Sequence, residues 1–300
     1  SQRLAEAGIR AIWLKGVALA LTVYPEPGLR AMTDVDVLVP AQQAEEAMRV
    51  IAAATGRPPA TLGASLDKHA VADVGPANSV RLEVHWSLVD LPYQRGAEDT
   101  AWFLAGRTPL PGGADFYGPA PEAHLLYLCA HAEIVHGEAD FLLQRYLDLH
   151  QLVTVFPALD WDVVVGRAAD FGWTYATERA LVIAQRFFRT PVPSSLLDDL
   201  RRARPASENM ARIARRQAAL DEGERLLRRW DDLDWGARLR LTAGSLFPSP
   251  AYMRRRYDLK AGWQVALAYP WRWASATAQV SKALLKRLAA SNRRNGNAGR

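Results

Sequence analysis

The amino-acid sequence predicts an α+β fold, with a small mixed β-sheet and flanking helices followed by a mostly α-helical C-terminal part. Three patterns carry this expectation. Val35, Val37, Leu38 and Val39 form a short β-branched and apolar run that ends at Pro40, as a buried strand does. Val80, Leu82 and Val84 alternate with Arg81, Glu83 and His85 before Trp86, the period of a strand with one apolar face. From Pro121 onward apolar residues recur at helical spacing instead, over 122–136, 139–156, 161–171 and 173–188, with Pro191, Pro193, Pro205 and Pro248 as breaks.

Taken in order, Ile9, Ala11, Ile12 and Leu14 make a first apolar strand, and Gly16 permits a tight turn into a helix over 17–24. The acidic strand follows. After Pro40, the spacing of Ala44, Ala47, Met48 and Ile51 predicts an amphipathic helix over 41–55 that packs on the sheet. A further strand is expected near 69–74, before the alternating strand at 80–86. The chain then divides into a catalytic module over 1–95, a helical body over 96–290 forming the other wall of a cleft, and a basic disordered tail over 291–300.

Composition agrees with an ordinary globular enzyme: 49% hydrophobic residues and 23% charged ones across 300 residues. The single cysteine, Cys129, lies in an apolar run and reads as a small buried residue, so no disulfide partner exists and a reducing, cytoplasmic setting is expected. The chain opens on Ser1-Gln2-Arg3 with no methionine and no signal-like segment, as a trimmed N-terminus would. The aromatic stretch from Trp263 to Val280 is broken by Pro270 and Arg272 and does not read as a transmembrane span. Charge is unevenly spread. Residues 1–200 hold 15 Lys+Arg against 24 Asp+Glu, net −9, whereas 201–300 hold 22 against 8, net +14.

The chemistry is expected at the acidic strand. Alternate residues of a strand share a face, so Asp34 and Asp36 project the same way, close enough to share one divalent cation. Two adjacent carboxylates at the mouth of an apolar strand are costly unless a cation or protons compensate them, and a hard cation, Mg2+ or Mn2+, suits such oxygen donors. Capping a turn or facing solvent is the plainer alternative for an Asp-x-Asp pair. The glycine turn at Gly16 offers backbone N–H groups and the positive end of a helix dipole to phosphate, with Lys15 and Arg30 positioned to neutralise a polyphosphate, unless these two are simply solvated. Glu83 and His85 share the polar face of their strand. If that strand lies beside the acidic one, Glu83 completes a carboxylate triad as metal ligand or as base for an attacking hydroxyl.

The ordered set Leu14-Lys15-Gly16, then 24–30 (YPEPGLR), then 33–40 (TDVDVLVP), then 82–86 (LEVHW) resembles the uncharacterised nucleotidyltransferase family of the polymerase-β-like superfamily. The resemblance covers about the first ninety residues well. It implies a nucleotidyltransferase-like sheet in which Asp34 and Asp36 are the metal-binding pair, Glu83 the later acid and Gly16 the phosphate-turn glycine. One departure stands out: the wider superfamily has Gly-Ser at the turn, whereas Val17 follows Gly16 here, so Lys15 and Arg30 would substitute for the missing serine. The implied activity is Mg-dependent transfer of a nucleoside monophosphate from a nucleoside triphosphate to an unknown acceptor hydroxyl on a small molecule, peptide or protein. Two alternatives stay open: transfer of a sugar or phosphosugar group, and a nucleotide-binding regulatory protein without chemistry.

Supporting roles are expected of His85, His69, His131 and Asp148. His124 and His131 share a helix face, His136 falls beyond it, and Asp148 lies with Arg145 on the next helix, where a structural hydrogen bond between helices is the simpler expectation. The histidine spacing does not suit zinc. The basic last third has three readings: solvated helix faces, a surface that steers nucleotide or binds a polyanion, or an amphipathic segment on an anionic membrane. For the last, Trp263, Tyr269, Trp271 and Trp273 precede Val280, Leu284 and Leu288, with Lys282, Lys286 and Arg287 off that stripe.

Overall fold

A computed structural model describes residues 1–56, 69–74, 80–89, 97–137, 141–206, 235–248 and 262–297, together with Glu208, Leu227, Trp230, Pro250, Met253, Arg254, Tyr257 and Leu259. The chain divides into two compact units, the first holding every described residue up to Glu208 and the second those from Leu227 onward.

In the first unit, strands β1 (Ile12–Trp13), β2 (Asp34–Leu38), β3 (His69–Val74) and β4 (Val80–His85) form a mixed sheet in the order β1-β2-β4-β3. β2 and β4 run parallel, while β1 against β2 and β3 against β4 are antiparallel. A parallel pair cannot be joined by a tight hairpin. The chain leaves β2 through a 3-10 turn (Ala41–Gln43) and helix α3 (Ala44–Thr55), and returns by way of β3. Helix α3 carries Glu45 and Glu46 at its positive end and stops at Gly56, whose φ of +67° is the left-handed conformation that glycine adopts without a Cβ penalty.

Strand periodicity gives the sheet two unlike faces. Val37, Val39, Leu82 and Val84 point to one side and pack with Ala44, Ala47, Met48 and Ile51 of α3 and with Leu4 of helix α1 (Gln2–Glu6). Leu38 points to the other side, into a larger core shared with Leu19 of helix α2 (Lys15–Thr22) and with the helical body. Asp34, Asp36, Glu83 and His85 have the parity of Leu38, so the sheet turns its acids toward the helices.

The body of the unit comprises α4 (Ala97–Ala105), a small ladder of β5 (Thr108–Pro109) with β6 (Tyr117–Gly118), and α5 (Pro121–Ala130), α6 (Leu143–Val155), α7 (Trp161–Phe171), α8 (Thr174–Phe188) and α9 (Leu196–Arg202). Helix α5 is central. Every residue from Ala123 to Ala130 is buried, including Cys129, as a helix apolar on all sides requires. It then widens into a π turn over His131–His136, an outcome that α-helical spacing does not anticipate. Glu133 fixes this turn, accepting hydrogen bonds from the Tyr146 hydroxyl of α6 (2.8 Å) and the Arg179 Nε of α8 (3.1 Å).

The second unit contains α10 (Trp235–Leu246) and the long helix α11 (Gly262–Asn297). Helix α11 runs unbroken through Pro270, where a break is expected from the sequence, and continues to Asn297, within the segment expected to be disordered. A proline removes one N–H and crowds one preceding carbonyl. Contacts on either side hold the helix across it: the Tyr269 hydroxyl donates to the Pro248 carbonyl (2.6 Å) and the Trp273 indole to the Leu246 carbonyl (2.7 Å). Among the described residues no helix is long and apolar enough to cross a membrane.

One buried pair ties the loop before β2 to the helical body. Arg30 grips both oxygens of Asp148 on α6, through Nε at 3.0 Å and Nη2 at 2.7 Å, and the Tyr24 hydroxyl donates to the same carboxylate at 2.7 Å. Removing one partner of such a pair strands the other charge in the interior. Asp148→Ala is therefore expected to lower unfolding stability by about 3–5 kcal/mol in urea titration, against roughly 1 kcal/mol for Tyr24→Phe. Equal, small losses in both variants would remove the pair from this role.

Candidate functional site

The parallel register sets Asp36 opposite Glu83 and Leu38 opposite His85, so two carboxylates and an imidazole from segments nearly fifty residues apart meet on one sheet face. His85 Nε2 lies 2.8 Å from Asp36 Oδ1 and 3.4 Å from Glu83 Oε2. Ionised carboxylates only accept, so this nitrogen carries a proton and donates it between them. Donor atoms of Asp36, Glu83 and His85 all lie within 4.8 Å of one another, a set able to hold a metal ion. Asp34 occupies the same face one pleat earlier, outside that three-donor group, and pairs in register with Arg81.

Lys15 closes the group from the helical side. Its ammonium lies 2.7 Å from Asp36 Oδ1 and 3.1 Å from His131 Nε2. It is the first residue of α2 and has a φ of +43°, a left-handed conformation that costs a non-glycine residue of order 1 kcal/mol or more. The strained position of the turn is thus Lys15, not Gly16. Gly16 is closely packed: a Cβ there would sit 2.6 Å from Arg30 Nη1 and from Met32 Sδ. Arg30 is turned to Asp148, and the two form a separate buried pair rather than joining the acids.

The π turn adds two rings. His136 follows His131 by five residues, a spacing that an α-helix would spread over different faces, yet their Nε2 atoms are 3.2 Å apart. Asp36, Lys15, His131 and His136 form one polar chain from the sheet into the helical body. Tyr127, one α-helical turn before His131, places its ring 5.8 Å from that imidazole. Its hydroxyl is buried without a hydrogen-bond partner among the described residues. Sequence reasoning misses Tyr127 because it lies in an unbroken apolar run, and misses His136 because a π turn does not follow α-helical periodicity. His69 pairs with His85 through its backbone; its side chain lies outside the described residues. His124 is buried behind the site and burial, then the Arg30 charge, push its pKa down to about 3, so it is a neutral ring.

The acids are electrostatically unequal. Burial pushes Asp36 upward, but the hydrogen bond from His85 and the charge and hydrogen bond of Lys15 outweigh it and hold the carboxyl at about 2. For Asp34 burial and the nearby Asp36 charge prevail over Lys15, and its carboxyl is raised above the ordinary range. Tyr127 is likewise raised, by burial and then by Asp36, Glu83 and Asp34, which locates its hydroxyl in the field of all three carboxylates.

These shifts predict opposite stability effects in metal-free protein. The folded-state pKa of Asp36 lies below its unfolded value of 3.8, so its contribution, roughly 2 kcal/mol, is present above about pH 4 and lost as pH falls toward 2. The raised carboxyl of Asp34 opposes folding once it is ionised. At neutral pH and with chelator present, Asp36→Asn should lower the melting temperature and Asp34→Asn should raise it. Shifts of the same sign would contradict this account of the site.

A sequence model of a family described as an uncharacterised nucleotidyltransferase matches residues 1–189, which span the sheet, the acids, Lys15, both π-turn histidines and Asp148. No curated protein and no solved structure gives a significant match.

Proposed function

The chain belongs to this uncharacterised nucleotidyltransferase family, and from that premise we propose that it moves a nucleoside monophosphate from a nucleoside triphosphate to an acceptor hydroxyl, with pyrophosphate as leaving group. The observation that carries the proposal is the convergence of Asp36, Glu83 and His85 on one sheet face, with Lys15 against Asp36.

The residues present fit a divalent cation. Two carboxylates and one imidazole are a hard-to-borderline donor set, and the proton shared by His85 Nε2 with the acids stands where a cation would compensate the same charges. Asp36, Glu83 and His85 would hold it, with Asp34 beside them. When bound, Mg2+ or Mn2+ would neutralise the carboxylates and polarise the α-phosphate.

The remaining work falls to the chain. Lys15, 11% exposed, is the cation at the edge of the group. Its ammonium would pair with the triphosphate, next to the backbone N–H groups that open α2. Arg30, held in the fork with Asp148, braces the turn that presents Lys15. The acceptor oxygen attacks the α-phosphorus, a new P–O bond forms, and the bond to the β-phosphate bridging oxygen breaks. The hydroxyl proton goes to a carboxylate. Asp36, held at about 2 and 2% exposed, is a poor base; Asp34, with its raised carboxyl, is the better one. Glu83, 17% exposed, orients the acceptor from the neighbouring strand. Little covalent chemistry is asked of the protein, so rate comes mostly from positioning and charge neutralisation.

Two outcomes test this. Asp36→Asn and Glu83→Gln should each lower pyrophosphate release from nucleoside triphosphate by at least about a hundredfold, while circular dichroism shows folded protein. Mg2+ or Mn2+ should raise the melting temperature of the unaltered chain and leave that of Asp36→Asn unmoved. Undiminished turnover in both variants would end the proposal.

A further inference from the structure

Helix α11 carries a feature that nucleotidyl transfer does not use. Its 36 residues include no acidic residue and six Arg or Lys, in a last hundred residues of net charge +14. Trp263, Leu267 and Trp271, four residues apart, are 66%, 66% and 69% exposed, and the same face continues through Ala278, Leu285 and Leu288, all exposed. The packed side of the helix lies opposite. Val265 and Ala283, five full turns apart, are both buried, and Tyr269 and Trp273 fasten the helix to the chain around Leu246–Pro248. Exposed Lys282 and Lys286 flank the apolar stripe. The stripe is therefore no by-product of a loosely packed helix: one face is used for folding and a second, apolar face is left outward.

Continuous apolar surface of this kind marks a contact site. What covers it follows from charge. A second copy would bring two acid-free cationic helices together, and their repulsion opposes that pairing. Nucleic acid would pair with the lysines and stack bases on the two tryptophans, but leave Leu267, Leu285 and Leu288 in contact with phosphate and water. An anionic lipid surface satisfies both at once, taking tryptophan and leucine at the headgroup boundary and pairing lysine with lipid phosphate. We propose that α11 is an interfacial helix that lies in the plane of an anionic membrane, with the face of Trp263, Leu267, Trp271, Leu285 and Leu288 inserted and Lys282 and Lys286 at headgroup level. It would lie on the bilayer without crossing it, consistent with the absence of any spanning helix among the described residues.

The test uses the full chain with vesicles of phosphatidylcholine and phosphatidylglycerol in equal parts, and with phosphatidylcholine alone. Co-sedimentation is expected on the anionic vesicles, weaker on the neutral ones, and falling as salt rises. Tryptophan emission should shift to the blue on binding. The triple variant Trp263→Ser, Leu267→Ser, Trp271→Ser should partition at least about tenfold less, with unchanged circular dichroism and unfolding midpoint because the three side chains are exposed. Lys282→Ser with Lys286→Ser should flatten the salt dependence and retain part of the blue shift. The proposal is overturned if the unaltered chain ignores anionic vesicles at low salt, or if the triple variant binds them as well as the unaltered chain does. It is equally overturned if the chain sediments as a dimer that the triple variant splits, or if the stripe proves to be needed for capture of an acidic protein and not of vesicles.

Discussion

The parallel pairing of β2 with β4 is the constraint on which the rest of the first unit depends. Neither strand supplies the three-donor group alone: β2 brings Asp36, with Asp34 beside it, β4 brings Glu83 and His85, and the register sets Asp36 against Glu83. Because side chains alternate along a strand, a slip of one residue would send Glu83 and His85 into the apolar core under α3 and bring Leu82 and Val84 to the acids. The valines and leucines that pack on α3 therefore hold the donor group in register as much as they hold the fold. The crossover through α3 and the antiparallel β3 is the length of chain needed for that parallel geometry.

Charge compensation is built in layers around Asp36. A carboxylate so deeply buried is tolerable because His85 and Lys15 both reach it, at 2.8 and 2.7 Å. Lys15 does so from a left-handed backbone, and the Arg30 side chain, which Asp148 holds on α6, lies against the adjoining Gly16. Local strain at one residue thus sits beside a buried ion pair, an arrangement in which stability is spent to aim a side chain.

Much of this was legible in the sequence. The β-branched run ending at Pro40, the alternation from Val80 to His85 and the spacing of Ala44, Ala47, Met48 and Ile51 read directly as strand, strand and helix, because each is a local pattern set by which side must be dry. That Glu83 and His85 share one face of their strand followed from parity, whereas its pairing beside the acidic strand was a condition that only the fold supplies. Partners across long separations did not follow. Lys15 and Arg30 looked alike as cations near a turn, and only packing separates them, one to Asp36 and the other to Asp148. Tyr127 has no distinguishing neighbour in an apolar run, and its place in the field of the carboxylates depends on packing across the unit. Pro270 signals a break in isolation, but side-chain anchors around it override that local preference.

The π turn at the end of α5 has a bearing on how the molecule can vary. A π turn contains one residue more than the α turn it replaces, and here that surplus residue is what aligns the rings of His131 and His136 while Glu133 stays in reach of Tyr146 and Arg179. Helix ends ordinarily absorb a gain or loss of one residue at the surface. In this segment the winding is itself part of the information, since the same six residues coiled as an α-helix would set His131 and His136, five apart, on different faces. Six consecutive positions act as a spacer whose winding matters as much as its composition.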